Sequence, residues 1–367
     1  MELDPDHCHR VLLARDARYD GRFFTGVKTT GIYCRPICPA RAPKPENCRY
    51  FPSAAAAQDA GFRPCLRCRP ESAPDMGAWR GTSATVSRGL ALIEAGALDE
   101  GDVEALADRL GVGERQLRRL FKRHLGAGPL AVAQTRRVLL AKQLIHQTDL
   151  SMTDVALASG FGSVRRFNET FRALYARPPG ELRRRKAVEA PRSAITLLLP
   201  YRPRYDWTAM RAALGGADVW RRALDGGGEV AVEPAPGREA LRVHVVTERL
   251  ADLPGVIARV RRVFDLAADP VAIGEALAQD PLLGPLVAAR PGLRAPGAWD
   301  GASAEPDAFD PDDPVLLWAA RAVLGPGCSP ERLLARAEGW RPWRAYAAQH
   351  LIAAAAARDM EETACAA

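Results

Sequence analysis

Long apolar runs are missing from this 367-residue sequence. None approaches the roughly 18–20 residues of a membrane span. The first thirty residues, opening MELDPDHCHRVLLARDARYD, carry both signs of charge. Neither a transmembrane segment nor a secretory leader is expected, and no membrane partner follows. No fixed-period repeat of the solenoid kind is present. Apolar residues are not scarce enough for wholesale disorder, at 47% hydrophobic and 26% charged. These absences point to a reducing cytoplasm. There the eight cysteines read as metal ligands or nucleophiles rather than as disulfides.

What is present suggests two to four domains, at about 100–200 residues each. The net charge of +7 is uneven: +4 over residues 1–80, +7 over 81–192 and −4 over 193–367. The basic half is a candidate nucleic-acid binder and the acidic half is not, on charge alone. Three stretches punctuate the chain: Pro70 to Thr82, the run Arg183, Arg184, Arg185, Lys186 followed by Pro191, and Pro296 to Pro314. Between the first two the pattern is helical, with two glycine-centred interruptions. After Ser193 it turns to strands, AITLLL and ALRVHVV, mixed with helices such as Leu253 to Leu266. The alanine-rich tail from Ala353 reads as a fraying helix end.

Four cysteines fall in two close pairs, Cys34-x3-Cys38 and Cys65-x2-Cys68. Each pair lets one turn present two thiolates, and two turns complete a tetrahedron of soft ligands suited to one zinc ion. Closed four-cysteine sites usually only hold a fold together, so a structural site stays open beside a reactive one. Cys48 lies outside the paired spacing and reads as a core thiol. His7, Cys8 and His9 could bind metal, but a frayed terminus is the preferred reading.

The stretch FFTGVKTTGIYCRPICPARAPKPENCRYF, followed by AGFRPCLRC, resembles the N-terminal zinc domain of the Ada alkylation-response proteins over most of residues 7–72. The resemblance implies that Cys34 is both zinc ligand and methyl acceptor, taking a methyl group irreversibly from a methylphosphotriester in the DNA backbone. It also implies phosphate contacts from Thr30, Arg41, Arg63 and Arg67. A thiolate is the competent nucleophile, and a phosphodiester anion is a good leaving group. Zinc with four thiolates carries a formal −2 and methylation leaves −1, so DNA binding should tighten.

Residues 102–125, DVEALADRLGVGERQLRRLFKRHL, give two helices broken at Gly111, the second with Leu117, Leu120 and Phe121 inward and Arg115, Arg118, Arg119 and Lys122 outward. Residues 152–175, MTDVALASGFGSVRRFNETFRALY, repeat the arrangement around Gly160. There Ser163 is a candidate N-cap, and Val164, Phe167 and Phe171 alternate with Arg165, Arg166 and Asn168. Second helices of this kind enter the major groove. With a long helix near Leu130 to His146 between them and Pro178-Pro179-Gly180-Glu181 behind, the two units resemble the AraC-type DNA-binding domain. The arginines and Asn168 could each read a base edge or touch a phosphate.

From Ile195, the segments TLLLPYRPRYDWTAMRAAL, LRVHVV, RVRRVFDLAADPVAI and DPLLGPLVAARPGLRAPGAWDG resemble the N-terminal region of AlkA-type DNA-3-methyladenine glycosylases. Asp307 to Asp313 and Trp340 to Leu351 match closing segments of that family. The intervening PGxG hairpin that would anchor DNA is missing, so base flipping lacks a lever. Asp313 matches the catalytic aspartate of the family, yet the preferred reading of Asp312 or Asp313 before Pro314 is a helix N-cap. No PCHR nucleophile motif of an O6-alkylguanine methyltransferase occurs.

The expected fold class is multidomain α+β. It comprises a small four-cysteine zinc α/β domain (1–75), an all-α AraC-type double helix-turn-helix domain (82–186), an AlkA-N-like α/β domain (193–295) and a residual glycosylase helical segment (305–357). The implied function is an alkylation sensor and transcriptional activator acting on double-stranded DNA with RNA polymerase as partner, a single-turnover methyltransferase near the nucleoid. The alternatives are a bifunctional regulator and glycosylase, and a zinc-bearing regulator whose cysteines never react.

Overall fold

The computed structural model describes residues 3–74, 84–183, 194–300 and 306–366. Residues 75–82 of the first punctuating stretch, Arg184, Arg185, Lys186 and Pro191 of the second, and 301–305 of the third lie outside the described residues. The chain forms two compact units, Met1–Pro200 with Val219–Val260 and Tyr201–Asp218 with Arg261–Ala367. Among the described residues no helix is long and apolar enough to cross a membrane.

The first unit opens with helix α1 (Pro5–Ala14), capped by the Asp4 carboxylate on the amides of Asp6 and His7. This ordered helix replaces the frayed terminus expected from the sequence. Cys8 packs against Val11 and Phe23, and His9 Nδ1 lies 3.0 Å from the Tyr50 hydroxyl. Burial pushes the Cys8 thiol up to about 11, with the Asp4 charge adding to the effect.

Strands β1 (Phe24–Val27), β2 (Ile32–Cys34) and β3 (Cys48–Phe51), then helix α2 (Ala54–Asp59) and strand β4 (Arg63–Pro64), follow. The sheet order is β3-β1-β2-β4. Antiparallel pairs flank β1, and β4 runs parallel to β2. Phe24, Tyr33, Phe51, Ala57 and Phe62 form its core. Gly26 is required there, because a Cβ would lie 2.8 Å from the Phe51 ring and 2.9 Å from Phe62.

Six helices follow: α3 (Ala84–Glu94), α4 (Val103–Arg109), α5 (Glu114–Leu125), α6 (Pro129–Gln147), α7 (Met152–Ala158) and α8 (Val164–Tyr175). Ile93, Leu106, Leu117 and Phe121 close the core of the first helix-turn-helix, while Leu120 is half-buried. Phe161, Phe167, Phe171 and Tyr175 stack edge to face or in parallel through the second. Gly111 and Gly160 sit at positive φ (70° and 84°), where an L side chain is strained. Ser163 caps α8 as expected, accepting from the Arg166 amide.

Strands β5 (Ala194–Pro200), β6 (Trp220–Ala223), β7 (Gly228–Pro234) and β8 (Ala240–Thr247) make an antiparallel sheet in the order β5-β8-β7-β6. The open edge of β5 is covered by α6. Gln143 donates to the Leu198 carbonyl at 3.0 Å, and Gln147 accepts from the Leu198 amide at 2.8 Å. These bonds satisfy backbone groups that an edge strand otherwise leaves unpaired.

The second unit is helical, with α9 (Trp207–Ala213), α11 (Pro270–Leu277), α12 (Leu283–Ala289), α13 (Pro314–Leu324), α14 (Pro330–Ala337) and α15 (Arg344–Ala366); helix α10 (Leu253–Val263) contributes residues to both units. Leu283, Ala319, Ala320, Leu333, Trp340 and Leu351 are buried in it. The tail expected to fray from Ala353 continues as helix to Ala366.

Candidate metal centre and nucleic-acid interface

Cys34 ends β2, Cys38 follows in the next turn, and Cys65 and Cys68 lie in the turn just after β4. The parallel pairing of β2 with β4 therefore brings the two cysteine pairs together. The Tyr33 carbonyl fixes their register by accepting from the Cys65 amide at 3.0 Å. All four sulfurs lie within 4.8 Å of one another. Sulfurs about 2.3 Å from a common centre are expected roughly 3.8 Å apart, so the set fits one tetrahedral zinc ion.

Amides already point at two of the sulfurs, Arg35 N–H to Cys68 Sγ (3.4 Å) and Arg67 N–H to Cys65 Sγ (3.3 Å). Such bonds favour thiolate. Hydrogen bonding among the four groups distributes their protons unevenly. Bonds with Cys38, Cys65 and Cys68 hold the proton on Cys34. Bonds from Cys34, Cys38 and Cys68 hold Cys65 far below the ordinary thiol range. Cys38, Cys65 and Cys68 are buried, and Cys34 alone of the four is half-exposed. The remaining N-terminal thiol outside the pairs, Cys48, is buried as expected and donates to the Lys44 carbonyl.

Sequence reasoning missed two charged pairs beside this site. Arg35 is buried, with Nε on Asp20 at 2.8 Å and one terminal nitrogen on the Cys68 carbonyl (3.1 Å) and Ser72 (2.8 Å). Lys142 of α6 is wholly buried with its ammonium 2.7 Å from Glu71. Burial works against the Glu71 carboxylate, but the neighbouring ammonium holds it below the usual carboxylate range.

The expected DNA contacts fall into two groups. Thr30, Arg41 and Arg67 are exposed, whereas Arg63 is half-buried with its guanidinium 5.9 Å from the Tyr175 ring centre. On α5, Arg115, Arg118, Arg119 and Lys122 are all exposed. Arg118 pairs with Glu114, Arg119 donates to Gln116, and Lys122 reaches Asp59 of α2 at 3.1 Å. On α8, Arg165 pairs with Glu169 at 2.8 Å, Arg166 is exposed and Asn168 is half-buried. The α2 cap residue Ser53 donates to the Leu125 carbonyl at 2.6 Å, so α2 is docked on the end of α5.

Asp313 belongs to no such cluster. It is exposed, and its carboxylate accepts from the Leu316 amide at 2.8 Å, capping α13.

Residues 7–71 match the metal binding domain of Ada, residues 106–185 a helix-turn-helix domain, and residues 196–300 the AlkA N-terminal domain. The chain is 41% identical over 320 residues to the probable bifunctional transcriptional activator/DNA repair enzyme AlkA of Mycobacterium tuberculosis (strain H37Rv), covering 82% of this chain and 64% of that protein. To the bifunctional transcriptional activator/DNA repair enzyme AdaA of Bacillus subtilis it is 32% identical, over 51% of this chain and 87% of that protein. The Escherichia coli (strain K12) enzyme Ada is 37% identical over 43% of each chain. The chain thus spans only part of the length of the M. tuberculosis protein, 64%.

Proposed function

This chain belongs to the Ada family of transcriptional activator/DNA repair proteins, and on that premise we propose that it takes one methyl group from a DNA methylphosphotriester onto Cys34 and then binds promoters of repair genes. The observation that carries this reading is exposure: three buried cysteines surround the half-exposed Cys34. A purely structural site has no need to leave one of its cysteines half-exposed, whereas a nucleophile must meet its substrate.

When bound, zinc keeps the four sulfurs deprotonated at neutral pH. The Cys34 sulfur attacks the methyl carbon in line, an S–C bond forms, and the C–O bond to the phosphotriester breaks. The electron pair stays on the phosphate oxygen, leaving an ordinary phosphodiester, so no general acid is required. The product is a thioether, and a phosphodiester anion is too weak a nucleophile to take the methyl group back, so each chain reacts once. Thioether formation also removes one of four sulfur charges beside a phosphate backbone, which should tighten DNA binding.

Thr30, Arg41 and Arg67, with Arg63 beside them, are the proposed backbone contacts of the zinc domain. The exposed arginines of α5 and α8, with Lys122 and Asn168, are the proposed groove and phosphate contacts. An activator of this kind works on double-stranded promoter DNA in the nucleoid with RNA polymerase. The division 1–75, 82–186, 193–295 and 305–357 is kept as the functional partition. Base excision is not proposed, because the Asp313 carboxylate is engaged as a helix cap.

The test is the intact mass of the zinc-loaded protein after incubation with a synthetic duplex carrying one methylphosphotriester. The wild type should gain one CH2 unit and Cys34→Ser none. An unchanged wild-type mass would refute the proposal.

A further inference from the structure

Resting on that reading, we propose that a buried polar cluster of Tyr33, Glu71, Lys142 and Tyr175 carries the state of the four-cysteine site into the second helix-turn-helix. The Lys142 and Glu71 side chains are 0% and 1% exposed, and their charges meet at 2.7 Å. The Lys142 ammonium also reaches the Cys65 carbonyl at 3.4 Å. Tyr33 is the residue before Cys34, is fully buried, and its hydroxyl has no hydrogen-bond partner among the described residues. Tyr175, the last residue of α8, is buried with its hydroxyl in the same condition. Arg63, on the strand leading to Cys65, lies over the Tyr175 ring. The Glu71 charge acts on both tyrosine hydroxyls, and Tyr175 on Tyr33, so both cysteine-bearing segments end in one cluster, whose other members belong to α6 and α8.

A buried ion pair is a poor choice for mere cohesion. Apolar residues of the same volume usually hold an interface as well or better. What a charged pair adds is sensitivity to nearby charge, since interactions in a low-dielectric interior are strong. Methylation removes one negative charge from the sulfurs, so the pull of the four-cysteine site on the Lys142 ammonium falls. The unpartnered tyrosine hydroxyls give the cluster a second hydrogen-bonding arrangement to adopt. The consequence reaches α8 directly through Tyr175.

This relay is distinct from direct repulsion between sulfur and phosphate. The Debye length is about 10 Å at 0.1 M salt and about 3 Å at 1 M, and buried groups are screened much less than exposed ones. The direct effect must therefore fade with salt while the relayed effect persists.

The experiment uses the full zinc-loaded chain and a duplex selected by the methylated protein from a random-sequence pool. Affinity is measured for methylated and unmethylated forms across a salt series, in wild type and in Glu71→Leu/Lys142→Met. The ratio should shrink with salt in wild type but level off above one. In the double variant, which still takes up the methyl group, it should fall to one. A wild-type ratio that reaches one at high salt, or a double variant that keeps the wild-type plateau, overturns the relay. A wild type that takes up no methyl group overturns the proposed function instead, and the relay with it. Should the double variant fail to fold, amide exchange in the wild type decides: protection of residues 164–175 must change on methylation, and unchanged protection overturns the proposal.

Discussion

In the four-cysteine region three buried cysteines surround a half-exposed fourth, whereas in the C-terminal helices Asp313 stands exposed with its carboxylate turned onto its own helix. Both residues sit where a family resemblance puts a reactive group. Only one is surrounded by the partners its chemistry needs. Cys34 has three further sulfurs within 4.8 Å, amides aimed at two of them and a buried arginine bonded alongside. Asp313 has the Leu316 amide and Pro314, which is what a helix start requires. The lesson is that a functional residue transfers between relatives only with its surroundings.

The sharpest way to break the contrast is to remove a sulfur. Cys38→Ala, Cys65→Ala or Cys68→Ala should abolish zinc binding, unfold residues 7–72 and eliminate methyl uptake, because metal binding and folding are coupled in so small a core. Zinc stoichiometry and circular dichroism of the purified variants check this; a folded variant that keeps its zinc would break the account of the site.

Next in size is the buried pair. Lys142→Met leaves the buried Glu71 carboxylate paired only with the half-exposed Arg69, 3.2 Å away, and should cost about 3 kcal/mol, the low end for breaking a buried pair, most of which Glu71→Leu in the same chain restores. Denaturant unfolding followed by amide exchange over α6 measures both. The depressed Glu71 pKa gives a pH signature: stability from this group is present above its ordinary value near 4.5 and is lost as pH falls through the lower folded value.

The C-terminal unit holds its own buried titratable groups, and they oppose one another. Burial pushes His350 down to about 4 from 6.5 and Asp265 up to about 6 from 3.8. As pH falls from 6.5 to 4 the buried neutral histidine loses stability for the fold, about 3 kcal/mol at full effect. As pH falls from 6 to 3.8 the retained proton on Asp265 returns about the same. Amide exchange over residues 344–351 should therefore be nearly flat across this window. With His350→Leu, protection should rise toward acid, and with Asp265→Asn it should fall.

The smallest effect belongs to Asp313. Asp313→Ala should cost about 1 kcal/mol as a lost N-cap, and Asp313→Asn much less, since asparagine caps nearly as well. Methyl uptake should not change in either. Thermal unfolding monitored on the C-terminal unit separates the two variants.

How much of this is legible in the sequence depends on the range of the interactions. Metal ligands come as close pairs because one turn must present two thiolates, so the spacing of Cys34, Cys38, Cys65 and Cys68 is visible directly. The helix-turn-helix units are visible because Leu117, Phe121, Phe167 and Phe171 recur at helical spacing and Gly111 and Gly160 mark the turns. Lys142 is not. It lies among helical residues whose charges ordinarily face water, and its partner Glu71 is 71 positions away. Gln143 and Gln147 are hidden for the same reason, since what they cover is an edge strand more than fifty residues on. Helix α1 reads as a frayed end because its charges and histidines disguise a single buried face of Cys8, Val11 and Leu12.

The most direct test follows where the methyl groups go in one reaction. Zinc-loaded protein is incubated with alkylated duplex DNA, then digested for peptide mass mapping while the supernatant is analysed for free methylated bases. The account predicts one CH2 unit per chain on the peptide containing Cys34 and no released 3-methyladenine. Released base that vanishes in Asp313→Asn, together with an unmodified Cys34 peptide, would contradict it.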